Sequence, residues 1–337
     1  MRIHAGLAPA LGKLARGSLA VGNFDGVHRG HAALFDAVRA GAQENGGPAC
    51  ALTFEPHPAR LLAPKVAPPL ICSPGRKREL IAAQGIDDLV VQPFDVRFAQ
   101  TEPPRFVEML AETSVGEVVV GYDFTYGRNR RGTVDSLRAG LLDRGVGLRV
   151  IPAVAAEGMV VSSTKVRELA LEGKVDAAAV LLGRPLDLDG EVMRGAGRGR
   201  TLGFPTANLR TTQELLPAVG VYAVRARLLE TEPPPGRGLD AAPLPLRFGP
   251  PLAAAANLGL NPTFRKDGGA QAASESHAPL LLEVHLLDFQ QDLYGRFLRI
   301  EWIERIRDER RFPGADALKA QIARDVEEAR RILGAGC

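Results

Sequence analysis

The chain is short of several things, and each shortage removes a class of protein. Three cysteines in 337 residues, Cys50, Cys72 and Cys337, are too few and too scattered for a disulfide framework or a zinc site. A reducing, cytoplasmic setting is the simplest expectation. No apolar stretch approaches the length that crosses a bilayer, and Met1 to Arg16 lacks the uninterrupted apolar core of a signal peptide, so a soluble protein with no membrane partner is expected. Aromatic residues make up only 5% of the chain. The 42 basic side chains nearly balance 39 acidic ones, for a net charge of +3 and a pI near 8.9, which argues against stacking-based nucleic-acid binding. There is neither a Walker A string nor G-x-G-x-x-G, which removes the P-loop and Rossmann readings. What is present is a chain too long for a typical single domain and long enough for two packed cores.

The most informative stretch is Gly22-Asn23-Phe24-Asp25-Gly26-Val27-His28-Arg29-Gly30-His31, fed by the apolar run Leu19-Ala20-Val21. Its glycines permit close backbone approach to an anion, and Leu34 and Val38 at helical spacing predict a helix over His31–Glu44. The free amides and positive dipole end of that helix face the turn, and imidazoles at i and i+3 share one face, so both can donate to one polyphosphate. Such a site stabilises a pentacoordinate phosphorus by fixed donors, with no covalent intermediate. Isolated histidines at a helix start are commonly caps or a metal pair. The ten-residue context is what favours the phosphate reading.

Over the first 180 residues, short apolar runs alternate with helical patterns. Predicted strands are Leu19–Val21, Ala49–Phe54, Leu89–Gln92, Val118–Val120 and Leu148–Ile151; predicted helices are His31–Glu44, Arg76–Gln84, Arg105–Glu112 and Val134–Arg144. Alternation of this kind implies a doubly wound parallel sheet, with ligands beyond the carboxyl ends of the strands. Gly22–His31, Phe54–Pro58 and Gly121–Gly127 all fall there.

The Gly22–His31 string resembles the cytidylyltransferase-type signature, and its wording is similar to the front of the bacterial bifunctional riboflavin kinase/FAD synthetases. Further motifs follow in that family's order: Thr53-Phe54-Glu55-Pro56-His57-Pro58, Val119 to Gly127, Val161 to Arg167, Gly197 to Leu209 and Leu282 to Phe289. The resemblance runs from about Ser18 to about Leu333. It implies an N-terminal nucleotidyltransferase domain over 1–183 and a C-terminal riboflavin kinase domain over 184–337.

In the first half, Ser162, Ser163 and Thr164 precede a helical stretch whose start can hold phosphate oxygens, with Arg167 supplying charge. An ordinary N-cap is the alternative. Lys165 stands where the family usually has arginine and keeps a charge without a bidentate fork. Asp123 is either a ribose or adenine contact or simply the end of a strand. Phe54, His57 and Pro58 are expected to touch flavin.

At Leu181-Leu182-Gly183-Arg184-Pro185 the helical pattern stops. Leu188–Met193, Val221–Leu229, Ala253–Leu258, Leu280–Leu287 and Leu298–Trp302 read as strands of an antiparallel barrel, and Leu318, Ile322, Val326, Ala329 and Leu333 as one stripe of a terminal amphipathic helix. Two inserts, 232–251 and 266–278, read as surface loops. Gly195, Gly197 and Gly199, with Arg198 and Arg200, suit close approach to phosphates. Thr206 and Asn208 are alternate residues that point oxygens one way, as a Mg²⁺ ion shared with ATP would require. Glu283 interrupts the apolar run Leu280-Leu281-Leu282-Glu283-Val284, which marks it as a site carboxylate or as the solvent side of an alternating strand. Arg305, Arg307 and Phe312 are candidates for flavin phosphate and ring.

The resemblance implies two reactions. Riboflavin and MgATP give FMN and ADP in the barrel, with Glu283 as base; FMN and a second MgATP give FAD and pyrophosphate in the α/β domain, through His28 and His31. Rival readings are a different phosphorylated acceptor for the first domain, one decayed domain, or a regulatory flavin- or RNA-binding module. Oligomeric state is not legible.

Overall fold

The computed structural model describes residues 1–194, 203–230, 245–260 and 280–334, and it divides into two compact units, Met1–Ser163 and Thr164–Cys337. The first unit is built on β1 (Arg2–His4), β2 (Ser18–Val21), β3 (Ala49–Glu55), β4 (Asp88–Pro93), β5 (Glu117–Gly121) and β6 (Gly147–Ile151). These pair in parallel in the order β1-β4-β3-β2-β5-β6. The winding therefore reverses between β2 and β5, and the crevice of such a sheet opens at that reversal.

Both faces of the sheet are covered, as the apolar strands require. Ala20, Ala51, Leu89 and Val119 pack with Phe35 and Val38 of α1 (Arg29–Asn45) and Leu80 and Ile81 of α3 (Pro74–Ala83), the short α2 (Pro58–Leu62) lying between them in the chain. On the other face, Leu19, Leu52, Val118 and Val120 pack with Phe106 and Leu110 of α5 (Pro103–Glu112) and Leu137 and Leu141 of α6 (Val134–Leu142); the single-turn α4 (Val96–Ala99) precedes α5. Each helix layer thus packs on its own apolar face of the sheet.

Strand β1 was not legible, because Arg2-Ile3-His4 carries no apolar run. Charge holds it to β4. Arg2 donates to both oxygens of the fully buried Asp88 at 2.8 and 2.6 Å, and His4 Nε2 lies 2.7 Å from Asp88 Oδ1. Burial opposes ionisation of Asp88, but the hydrogen bonds from Arg2 and His4 outweigh it, and the carboxyl sits below its ordinary value. A carboxyl with a depressed folded pKa stabilises fully above its unfolded value, near about pH 4, and the contribution fades as pH falls through the lower folded value. Asp88→Asn is therefore expected to cost about 2 kcal/mol at pH 7. Urea unfolding at pH 7 and at pH 2 checks this; the gap between variant and native protein should shrink at the lower pH.

The second unit begins with α7, whose span is Ser163–Leu171, and α8 (Val175–Leu182), which packs on the barrel strands β9 and β14 and ends on the left-handed Gly183. A two-stranded ribbon, β7 (Ala155–Ala156) with β8 (Met159–Val160), precedes it in the first unit. The barrel strands are β9 (Leu186–Met193), β10 (Ala207–Arg210), β11 (Gly220–Leu228), β12 (Leu252–Leu260), β13 (Leu280–Leu286) and β14 (Phe297–Arg307), closed in the order β10-β13-β12-β11-β14-β9 with every neighbour antiparallel. Leu282, Val284, Ala254, Ala256, Ile300 and Trp302 are buried at alternate positions of their strands. The terminal helix α9 (Ala315–Leu333) covers Ala223 and Ala255 with Ala329 and Leu333.

The face α9 buries is not the uniform apolar stripe expected. Gln321 and Asp325 are buried beside Val326, Ala329 and Leu333, while Leu318 and Ile322 are only half-buried. The reason lies on β14: Arg307 reaches Asp325 through Nε at 2.9 Å and Nη2 at 2.7 Å, and Gln321 donates to the same carboxylate at 2.7 Å.

Candidate active sites

The loop Gly22–His28 leads from the end of β2 into α1, and its conformation is tightly set by its own side chains. Phe24 and Val27 take left-handed φ values of 51° and 42°, and Gly26 takes 81°. Strain of this kind persists only where the surroundings over-determine it. Here Phe24 is fully buried against Phe35, with ring centroids 4.8 Å apart, and edge-on to His31 at 5.3 Å. Asp25, 4% exposed, accepts from the amides of Ile71 and Cys72 at 3.0 and 3.4 Å. Ser163 donates to the carbonyl of Asp25 at 2.9 Å.

The glycines make room for protein as well as for an anion. A Cβ on Gly22 would sit 2.9 Å from the Phe24 ring, one on Gly26 2.9 Å from Ile71, and one on Gly30 3.1 Å from the His28 ring. Their spacing reflects packing that the sequence reading credited to close backbone approach alone.

His28 is the N-cap of α1: its Nδ1 accepts from the amide of His31 at 3.3 Å. The rings of His28 and His31 stack at 3.6 Å, tilted by 14°. Capping is compatible with the expected phosphate role, because accepting through Nδ1 assigns the proton of a neutral His28 to Nε2, which makes Nε2 the donor nitrogen. Asn23 is exposed, and its carbonyl accepts from Thr53 Oγ1 at 3.0 Å.

At the end of β3, Phe54 is half-buried and His57 caps α2, its Nδ1 accepting from Ala59 at 3.2 Å, with Pro58 as the first helical residue. The sequence reading missed Phe94 and Phe98. Their rings and that of Phe54 lie pairwise within 5.9 Å, three half-buried aromatics together in a chain poor in them. The available signal was the i, i+4 pair of phenylalanines just after β4. Asp123 is exposed beyond β5, with Oδ1 3.2 Å from where a Cβ on Gly121 would be. Ser162 is half-buried, and Thr164 and Arg167 belong to the second compact unit, Arg167 being 9% exposed on α7. Lys165 pairs with Glu168 at 3.0 Å.

In the barrel, register decides the geometry. Asn208 of β10 and Asn257 of β12 are both paired with Glu283 of β13, so three polar side chains form one row across three strands. Directly opposed residues hold their Cβ atoms about 5 Å apart. Because Leu282 and Val284 point inward, Glu283 stands on the outer face, half-buried; the apolar neighbours that drew attention to it are the barrel interior. Asn257 was missed, although a lone polar residue in Ala253-Ala254-Ala255-Ala256-Asn257 was its signal. On the same outer face His285 Nδ1 donates to the carbonyl of Pro205 at 2.8 Å, with Phe204 edge-on to His285, which lays the segment carrying Thr206 beside Glu283. Thr206 and Asn208 offer neutral oxygens of the kind Mg²⁺ accepts. Gly197, Gly199 and Arg200, with Gly195 and Arg198, lie outside the described residues, as do most of the two inserts and Cys337.

The arginines after Trp302 have settled partners. Arg305 donates to the carbonyl of Val219 at 2.5 Å and pairs with Asp308 at 3.0 Å. Arg307 spends its guanidinium on Asp325 and on the carbonyl of Asp308, and Arg307 and Arg310 both lie over the Phe312 ring at 5.7 and 5.0 Å. Removing a nearly buried partner strands the other charge, so Asp325→Ala should destabilise the barrel by about 3 kcal/mol. A fall in the thermal midpoint of riboflavin phosphorylation, with adenylyl transfer unaffected, is the corresponding readout.

The chain matches the family model for riboflavin kinase over residues 182–333 and that for FAD synthetase over residues 13–165. It is 35% identical over 318 residues to the bifunctional riboflavin kinase/FMN adenylyltransferase of Escherichia coli K12, covering 94% of this chain and 92% of that one. This chain belongs to that family. The corresponding protein of Bacillus subtilis is 33% identical over 322 residues, with 95% and 93% coverage. Among solved structures, a Streptococcus pneumoniae protein described as a macrolide-efflux protein aligns with a TM-score of 0.80 and 27% identity over 97% of this chain and 98% of that one. Among the described residues no helix is long and apolar enough to cross a membrane. The C-terminal region is a riboflavin kinase and the N-terminal region an FMN adenylyltransferase, joined in one bifunctional enzyme of flavin cofactor synthesis.

Proposed function

We propose that the two reactions divide between residues 1–183 and 184–337 and run on separate sets of side chains. In the barrel, the riboflavin 5′-hydroxyl oxygen bonds to the γ-phosphorus of ATP, its proton passes to Glu283, and the bond from that phosphorus to the β–γ bridging oxygen breaks to release ADP. Asn208 and Asn257 flank Glu283 and orient it. Thr206 and Asn208 would hold Mg²⁺, which when bound would offset charge on the nucleotide phosphates. Gly197, Gly199 and Arg200 complete the phosphate cradle on sequence grounds. Phe312 faces the flavin ring, with Arg305 and Arg307 shaping that wall from behind.

In the α/β unit, a phosphate oxygen of FMN bonds to the α-phosphorus of a second ATP, and the bond to the bridging oxygen breaks to release pyrophosphate. His28 and His31 hold the triphosphate at the N-terminal end of α1, where the helix dipole favours an anion, while Gly22, Phe24, Asp25 and Gly30 set the loop that aims them. Asn23, Asp123, Ser162 and Ser163 are assigned to the nucleotide; Thr164 and Arg167, which belong to the second compact unit, are assigned to it on sequence grounds. Phe54, with Phe94 and Phe98, offers an aromatic face for the flavin ring beside His57 and Pro58. A cytoplasmic setting, in keeping with buried Cys50 and Cys72 that form no disulfide, belongs to the same reading.

One observation carries it: each compact unit bears its own polar constellation, the stacked His28 and His31 in one and the Asn208-Glu283-Asn257 row in the other. Chromatography of flavins after incubation with Mg²⁺ and ATP, started from riboflavin and separately from FMN, tests it. Both FMN and FAD should form from riboflavin, and FAD from FMN.

A further inference from the structure

We propose that Lys77 is a positioning residue for adenylyl transfer, tying together the segments that carry Asn23 and His57. The inference rests on the assignment of those segments to the FMN adenylyltransferase site.

Lys77 lies on α3 and is 8% exposed, a burial that lysine rarely tolerates without partners. Its ammonium has two. Thr53 Oγ1 is 3.3 Å away and Glu55 Oε1 is 3.5 Å away. Both belong to the carboxyl end of β3, at the edge where the crevice opens. Thr53 has a single hydroxyl proton, which it gives to the carbonyl of Asn23 at 3.0 Å, so its lone pairs must receive Lys77. The direction of the chain is thereby set: Lys77 to Thr53 to the backbone of Asn23, five residues before His28.

The second arm ends on a buried atom. Glu55 Oε1 is buried without a hydrogen bond, and the Lys77 ammonium 3.5 Å away is the ion-pair partner that answers its charge. Glu55 is followed directly by Pro56, His57 and Pro58. One cation thus restrains the loop after β2 through a hydroxyl and the turn after β3 through a carboxylate. Loss of either restraint displaces groups that align the nucleotide or the flavin for transfer, and displacement near 1 Å costs about a hundredfold in rate.

Kinetics of FAD formation from FMN and ATP in the full chain test this. Lys77→Met is expected to lower kcat about a hundredfold with much smaller change in KM for ATP. Lys77→Arg, which keeps the charge and can reach both partners, should restore most of that loss. Glu55→Gln should cost far less in the Lys77→Met background than alone, since the two act as one unit. Thr53→Val, which leaves the ion pair in place, should still lower kcat about tenfold, and it decides the matter if Lys77→Met does not fold. Phosphorylation of riboflavin should be unchanged in all four. A folded Lys77→Met or Thr53→Val protein with native kcat overturns the proposal, as does strict additivity with Glu55→Gln. His28→Ala, measured alongside, separates the two failures: if it retains FAD formation, the site assignment fails irrespective of Lys77.

Discussion

Replacing His28 by alanine is expected to reduce FAD formation from FMN by about a thousandfold, the scale of losing a preorganised donor to a transition-state oxygen. FMN formation from riboflavin should continue at the native rate. The substitution also removes an N-cap, a loss of about 1 kcal/mol that by itself lowers stability without touching rate. His28→Asn separates the effects: asparagine restores an acceptor for the His31 amide, so the thermal midpoint should recover while FAD formation stays low. Full activity in His28→Asn would reduce His28 to its capping bond.

The second large effect belongs to the barrel. Glu283→Gln keeps the volume and a hydrogen-bonding end between Asn208 and Asn257 but cannot take a proton, so riboflavin phosphorylation should fall by about a thousandfold. FAD formation should be normal when FMN is supplied. If KM for riboflavin rose with kcat unchanged, Glu283 would be a binding group and the proton would have another destination. Asn257→Ala tests the row from its other end and should give a smaller loss, since it orients the carboxylate without receiving the proton.

The doubly wound half was legible because its strands are buried on both faces and read as plain apolar runs: Leu19–Val21, Ala49–Phe54 and Val118–Val120 each lie within the strand observed. What escaped was held by charge or by contacts distant in sequence. Strand β1 depends on Asp88, 86 residues from Arg2, and no local pattern announces that pair. The Arg307–Asp325 bond likewise spans 18 residues, and it was not foreseen that the donors of Arg307 serve α9 and the following backbone. Strand β10 was read only as an extended segment because four residues, Ala207–Arg210, show too little alternation.

In the site, histidine spacing and the Glu283 anomaly were both visible, yet their physical causes differ from the first impression. His28 caps the helix as well as being the residue assigned to the ligand. Glu283 is half-buried on an outer face, and its apolar neighbours Leu282 and Val284 point into the barrel. Phe94, Phe98 and Asn257 left only faint local signals and Lys77 left none; what marks all four is adjacency between segments distant in the chain.

Two phosphorus-transfer chemistries in one chain differ in which phosphorus of ATP is attacked. Isotopically labelled ATP distinguishes them directly. From riboflavin, label at the γ-phosphate should enter FMN; from unlabelled FMN, label at the α-phosphate should enter FAD while γ-label leaves in pyrophosphate. Flavins that take up no label, or that take it from the same phosphorus in both reactions, would contradict the account.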